Sequence, residues 1–312
     1  MCKLTSPSSF FYQKGFYFEG ISLVKYIFPD AVELGVNELL EKIVDDEIGI
    51  ILLEPGTTWP FNSGVNIENI YHLLNKTNRT KPLVIIIDRT TTSITNQMLY
   101  ELDYQLPAHV VLIIVESALK YYQYGMDLGN MGFIVATGKI FRYKKYRDLI
   151  EHLMYILSGI PDPAIVMRFP SPSIDMLKKR LFRISRNTDL YISFFNFIQS
   201  SHLIDFIGTS VDKNSGCNIC GDNWKGSLVF LKLKYLSNSS EYYEYTRNIV
   251  MKADPKLNIH LGSSFGFDNL RLSVVEDLRD KNNTAIRFSI GSDTVYEQFN
   301  RIQYLYNILR RD

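Results

Sequence analysis

Three short apolar runs dominate the first half of the chain: IGIILLEPG at 48–56, PLVIIIDRT at 82–90 and HVVLIIVES at 109–117. Each is rich in Ile and Val and continuous instead of alternating, which is the pattern of a strand buried on both faces of a parallel sheet. Segments of helical spacing lie before and between them: VNELLEKIVDD (36–46), NIENIYHLLNKTN (66–78) and SITNQMLYELDYQL (93–106). Strands alternating with helices predict right-handed β-α-β crossovers and an α/β layer. A further strand-like run, MGFIVATG (131–138), and an amphipathic helix, KKYRDLIEHLMYILSGI (144–160), follow.

The pattern then changes. PDPAIVMRFPSPS (161–173) is a Pro-rich connection and the predicted domain boundary. It divides an α/β large domain over 1–162 from an α+β small domain over 163–312. The second part begins with a long helical stretch at 174–201. Strand-like GSLVFLKLK (226–234), a helix at 239–253, strand-like NLRLSVV (269–275) and TAIRFSIG (284–291), and a terminal helix from 293 complete it. No internal repeat or low-complexity block is visible.

Composition narrows the class. The chain is 46% hydrophobic and 21% charged, enough apolar content to bury a core and too much for a disordered chain. A net charge of +1 lacks the basic excess of nucleic-acid or membrane-surface binders. No apolar window reaches the length of a membrane span, and the N-terminal residues lack the apolar core and cleavage site of a signal peptide. The three cysteines are Cys2, Cys217 and Cys220. The last two form CNIC within NSGCNICGDN, with no second CxxC or spaced His pair to complete a zinc site, so a loop with two free thiols is expected and no metal. Low cysteine usage fits a reducing compartment. The sequence predicts a soluble, cytoplasmic protein.

In open α/β sheets, ligands bind beyond the carboxyl ends of the strands. Glu54 ends the first run, Asp88 the second and Ser117 the third, with Lys120 just after. Asp88 and Lys120 admit two readings. One is a salt bridge between neighbouring strand ends. The other is a pyridoxal 5′-phosphate (PLP) site, with the lysine amine on the cofactor aldehyde and the carboxylate on the protonated pyridine nitrogen.

The segments IDRT and ESALKYYQYGMDLGNMGFIV resemble the fold-type I PLP enzymes, and among them the cystathionine synthase/lyase (Cys/Met metabolism) group. That group carries Asp-x-Thr at one strand end and Ser-x-x-Lys-Tyr at another. The resemblance implies that Lys120 is the Schiff-base lysine and Asp88 the pyridine-nitrogen partner. Thr90 and Ser117 then lie near the cofactor, Ser117 through its phosphate. GSSFGFDNLRLSV (262–274) resembles a Ser-Leu-Gly-Gly-x-Glu-Ser-Leu segment of the group, with Ser263, Gly266 and Leu270 matching. AIRFSIGSDTVYEQFNRIQYL (285–305) resembles its ending, which makes Arg287 the arginine that takes the substrate α-carboxylate, beside Ser263. A planar guanidinium can grip a carboxylate with two parallel hydrogen bonds. LLEPGTTWPFNSGVNIENI (52–70) resembles a Glu-x-Pro-x-Asn-Pro turn but has Trp59 where Asn is usual. Tyr121, Tyr122 and Tyr124 are pocket or packing residues.

What the resemblance implies is a PLP fold-type I-like large domain with a mostly parallel sheet, truncated at its N-terminus, and a C-terminal α+β small domain. The group has a Gly-containing phosphate loop in a portion that the sequence is expected to lack. The function it implies is a PLP-dependent lyase or transferase acting on an amino acid by β/γ-elimination or replacement. The chain is then expected to be an obligate homo- or hetero-oligomer, and the lysine-bearing subunit of a split enzyme if a separate chain supplies the phosphate-binding part. The alternative is a non-catalytic interaction or scaffold subunit that keeps the fold. No nucleic-acid or membrane partner is expected.

Overall fold

The computed structural model describes residues 9–44, 48–60, 64–76, 81–96, 106–126, 128–139, 144–156, 163–168, 173–199, 203–213, 215–277 and 280–310. The chain divides into two units. The first comprises Met1–Leu119, Leu128–Pro170 and Val211–Asn218; the second comprises Lys120–Asp127, Ser171–Ser210 and Ile219–Asp312.

In the first unit the elements are β1 (Ser9–Gln13), α1 (Phe18–Ile27), β2 (Val32–Leu34), α2 (Val36–Val44), β3 (Ile48–Leu53), α3 (Ile67–Lys76), β4 (Leu83–Asp88), β5 (Val110–Ser117), β6 (Gly132–Thr137), α4 (Lys144–Ile156) and α5 (Pro163–Arg168). The strands form one sheet in the order β2-β1-β3-β4-β5-β6. The pairings from β2 through β5 are parallel, and β6 closes the edge antiparallel to β5. The three apolar runs of the sequence are its central strands. Their continuous hydrophobicity is explained by cover on both faces. Ile51, Leu53, Ile85, Ile87, Leu112 and Ile114 pack on Leu39 and Ile43 of α2 and on Ile67, Ile70 and Leu74 of α3. On the opposite face Phe10, Tyr12 and Leu52 pack with Ile21 and Val24 of α1. Each such fully buried aliphatic side chain contributes about 1.5–3 kcal/mol relative to exposure.

The second unit holds α6 (Ile174–Gln199), β7 (Ile204–Thr209), β8 (Asn218–Ile219, its second residue), β9 (Asp222–Asn223), β10 (Leu228–Leu233), α7 (Ser239–Met251), β11 (Ile259–Leu261), β12 (Leu270–Asp277), β13 (Asp280–Ser289) and α8 (Val295–Leu309). Its sheet runs β11-β12-β13-β10-β7, antiparallel except for β11 on β12. Tyr191 and Phe195 of α6, Tyr242 and Ile249 of α7, and Leu305 and Leu309 of α8 cover one face, against Val229, Leu231, Leu272, Ile286 and Phe288. This is the α+β arrangement expected for the C-terminal part. α8 starts on a capping box, in which the Thr294 hydroxyl accepts the Glu297 N–H while the Glu297 carboxylate accepts the Thr294 N–H.

Several elements depart from the sequence reading. β1 and β2 and the helix between them lie in residues from which no element was predicted. Within the segment read as a helix at 93–106, Ser93–Thr95 form a single 3-10 turn, and 97–105 lie outside the described residues. Within the Pro-rich connection, Pro163 opens the short helix α5, a position where its missing N–H costs nothing. No described helix is long and apolar enough to cross a membrane.

Candidate active site

The carboxyl ends of β3, β4 and β5 bring Glu54, Asp88 and Ser117 together in the first unit. In register, Leu53 lies opposite Ile87 and Asp88 opposite Val115. Side chains alternate along each strand. Glu54, Asp88 and Ser117 therefore share the sheet face covered by α1, and Arg89 and Glu116 point to the other. A short hydrogen-bonded chain crosses these ends. The Thr90 N–H donates to Asp88 Oδ1 (2.8 Å), and the Ser117 N–H donates to Thr90 Oγ1 (3.0 Å). Burial raises the Asp88 carboxyl above its ordinary pKa, against the lowering effect of the Thr90 hydrogen bonds. On the far face Arg89 Nε donates to the buried Glu116 carboxylate, so that charge is paired within the fold.

Glu54 is a functional candidate to which the resemblance gave no role. It is only 3% exposed. Its own N–H donates to Gln13 Oε1 (2.8 Å), and its Oε1 accepts the N–H of Tyr17 at the start of α1 (3.3 Å). Burial first, and then the charge of Asp88, push its pKa well above the usual carboxylate range. The signal available in the sequence was its position at the end of a buried run, level with Asp88 and Ser117.

The turn after Glu54 is tied to the same rim. Thr91 Oγ1 donates to the Gly56 carbonyl (2.8 Å), and Thr57 Oγ1 donates to the Trp59 carbonyl (2.7 Å). A Cβ on Gly64 would lie 1.9 Å from the Pro55 carbonyl oxygen, so only glycine allows this closure. Trp59 itself is half-buried.

Lys120 belongs to the second unit and lies in the turn at 118–125. Its Nζ donates to Ser264 Oγ (2.9 Å) and sits 5.2 Å from the centroid of the Phe265 ring. The next residue anchors the turn: Tyr121 is fully buried, shares a hydrogen bond with Ser227 Oγ (2.8 Å) and packs its ring on Trp224 and Phe265. Tyr124 (φ 51°) and Gly125 (φ 77°) reverse the chain in the left-handed region. Tyr121 is thus a packing residue, and Tyr124 lies under the Arg180 guanidinium (5.9 Å).

Ser263, predicted beside the substrate, accepts from Arg287 Nη2 through its backbone carbonyl, and the Arg287 Nε donates to Ser273 Oγ (3.1 Å). Ser264, one residue on, was not singled out by the sequence reading and carries the hydroxyl on the lysine. Lys120 and Arg287 therefore hold adjacent residues of one segment, GSSFGFD. That segment is fixed by Arg180, which donates to the Gly266 carbonyl (2.7 Å) and to Asp268 Oδ1 (2.6 Å).

Cys217 is buried and Cys220 exposed, both free thiols, and Cys220 (φ 52°) lies in the turn between β8 and β9. No group of three or more His, Cys, Asp or Glu that could hold a metal is found among the described residues.

No family model matches this chain, and no curated protein does. Solved structures do. Cystathionine gamma-lyase from Lactobacillus plantarum, complexed with L-serine, superposes with a TM-score of 0.66 at 16% identity, covering 99% of this chain and 78% of that one. The chain has the fold of the fold-type I PLP enzymes. Cystathionine gamma synthase from Xanthomonas oryzae pv. oryzae gives a TM-score of 0.67 at 12% identity, over 99% of this chain and 77% of that one. The likeness extends beyond these: histidinol-phosphate aminotransferase from Clostridium acetobutylicum gives 0.59 at 11% identity, over 98% and 79%. At these identities the fold-type I likeness concerns the fold. What the chain does rests on its own residues.

Proposed function

We propose that this chain is a PLP-dependent lyase or transferase acting on an amino acid. The observation that carries the reading is the chain Asp88–Thr90–Ser117 across the carboxyl ends of β4 and β5, three residues before Lys120 in sequence. The residues fit the cofactor chemically. A carboxyl raised by burial is stabilised as an anion by a cationic N–H partner, and a protonated ring nitrogen is such a partner for Asp88. The second carboxyl, Glu54, has a buried oxygen, Oε2, with no hydrogen-bond partner among the described residues.

In this reading Lys120 holds the cofactor through its amine, Asp88 faces the ring nitrogen, and Thr90 and Ser117 supply polar contacts, Ser117 to the phosphate. PLP, when bound, supplies an electron sink conjugated to the substrate Cα. Lys120, once displaced from the cofactor by the substrate amine, would take the proton from Cα and return one at Cγ as general base and acid. Arg287, held by Ser273 and the Ser263 carbonyl, orients the substrate carboxylate. β/γ-elimination or replacement is the reaction class proposed. An oligomer, of this chain alone or with a second chain that completes the phosphate site, belongs to the same proposal. It is supported by exposed apolar side chains on α1 (Leu23, Tyr26, Ile27) and on the edge strand β6 (Ile134, Val135).

The test is a PLP titration of the full chain followed by visible absorbance, beside Asp88→Asn. The reading predicts saturable binding, weakened at least about tenfold in the variant, as expected when one charge-assisted hydrogen bond of about 1.5–3 kcal/mol is lost. Binding that the variant leaves unchanged would remove Asp88 from the site.

A further inference from the structure

Glu54 is buried, carries an oxygen with no hydrogen-bond partner among the described residues, and ends its strand level with Asp88 on the same sheet face. Two carboxyls so placed in a poorly solvated rim do not both ionise at low cost. Among the described residues, the groups that act on the Glu54 carboxyl are Asp88 and the Tyr17 N–H, and Lys14, level with it just past β1, is exposed. From β1 it meets Gln13, whose side-chain carbonyl takes its N–H, and Tyr12 lies one level below. From α1 it meets the Tyr17 N–H, and Glu19 in the first turn of that helix is acidic and exposed. From β4 it meets Asp88. The nearest arginine in sequence to Asp88, Arg89, points to the opposite face and is paired with Glu116.

We propose that Glu54 is a positioning residue for Asp88: it is held as the neutral acid of a carboxyl pair whose single negative charge sits on Asp88. The proposal deepens the functional reading above and rests on it for the identity of what Asp88 meets, a monocationic ring N–H. One charge on the pair then matches one charge on the ligand. The Thr90 N–H favours ionisation of Asp88, and among the described residues Glu54 has the longer Tyr17 N–H to do the same. The Asp88 charge is among the causes that raise the Glu54 carboxyl.

The experiment is an infrared pH titration of the full chain, following the carbonyl stretch of protonated carboxylic acid, with and without PLP. The wild type is expected to keep this band at neutral pH, and Glu54→Gln to lose it. Asp88→Asn, which removes the neighbouring anion, is expected to move the midpoint to lower pH, a shift that a merely structural Glu54 would not show. Absence of the band at neutral pH, or a midpoint unmoved in Asp88→Asn, would overturn the pair. Added PLP is expected to lower the midpoint by placing a cation against Asp88. A pair that behaves as described but ignores PLP upholds the pairing and sinks the cofactor reading instead, so the two failures are separable.

Discussion

Gly266 shows how tightly the lysine is held. A Cβ at this position would lie 2.1 Å from the Lys120 carbonyl oxygen, and its φ of 86° is in the region that side chains disfavour. Gly266→Ala is therefore expected to cost more than about 1 kcal/mol and to displace the turn that carries Lys120. Thermal unfolding of the variant checks the first effect, and PLP binding the second. Gly266 matches a family segment, but the reason it must be glycine is a backbone contact across 146 residues of chain, which no local pattern encodes. Ser264 is similar. Its hydroxyl on the lysine amine depends on how GSSFGFD curls around Arg180, whereas Ser263 was chosen from sequence and contributes a carbonyl.

At the scale of elements, the legible parts are those whose hydrophobic pattern is strong. β3, β4 and β5 coincide with continuous Ile/Val runs, and α2 and α3 with clear apolar stripes. β1 was missed because SFFYQ is aromatic instead of aliphatic and too short for a period to show. Its place in the sheet, between β2 and β3, comes from tertiary pairing. Glu54 is legible at a strand end, but its place level with Asp88 on one sheet face needs the register. Two substitutions test the element account. Ile85→Ala, in the centre of β4 and fully buried, is expected to cost about 2–5 kcal/mol. Thr294→Ala, which removes the α8 cap, is expected to cost about 1 kcal/mol. Denaturant unfolding of each is the check, and equal effects would contradict the ranking of core over cap.

For the whole molecule, the raised carboxyls at the rim make stability depend on pH. Unfolded Asp and Glu titrate near about 3.9 and 4.3, and in the folded chain Asp88 and Glu54 titrate higher. The folded state then binds more protons above those values, so their contribution is fully present below about pH 4 and is lost as pH rises through the folded pKa values. Glu54→Gln, which has no proton to lose, is expected to gain stability over the wild type as pH rises from about 4 to neutrality. Unfolding midpoints across that range would show it. A difference independent of pH would mean that Glu54 titrates normally.

The claim on which the account turns is that Lys120 holds PLP. The most direct measurement is to incubate the full chain with PLP, reduce with borohydride, digest, and weigh the peptides. The account predicts one modified peptide, carrying the cofactor on Lys120, and a visible absorbance band that Lys120→Ala lacks. Labelling spread over exposed lysines, or a band that survives in Lys120→Ala, would contradict it and leave a PLP-enzyme fold kept for binding another protein.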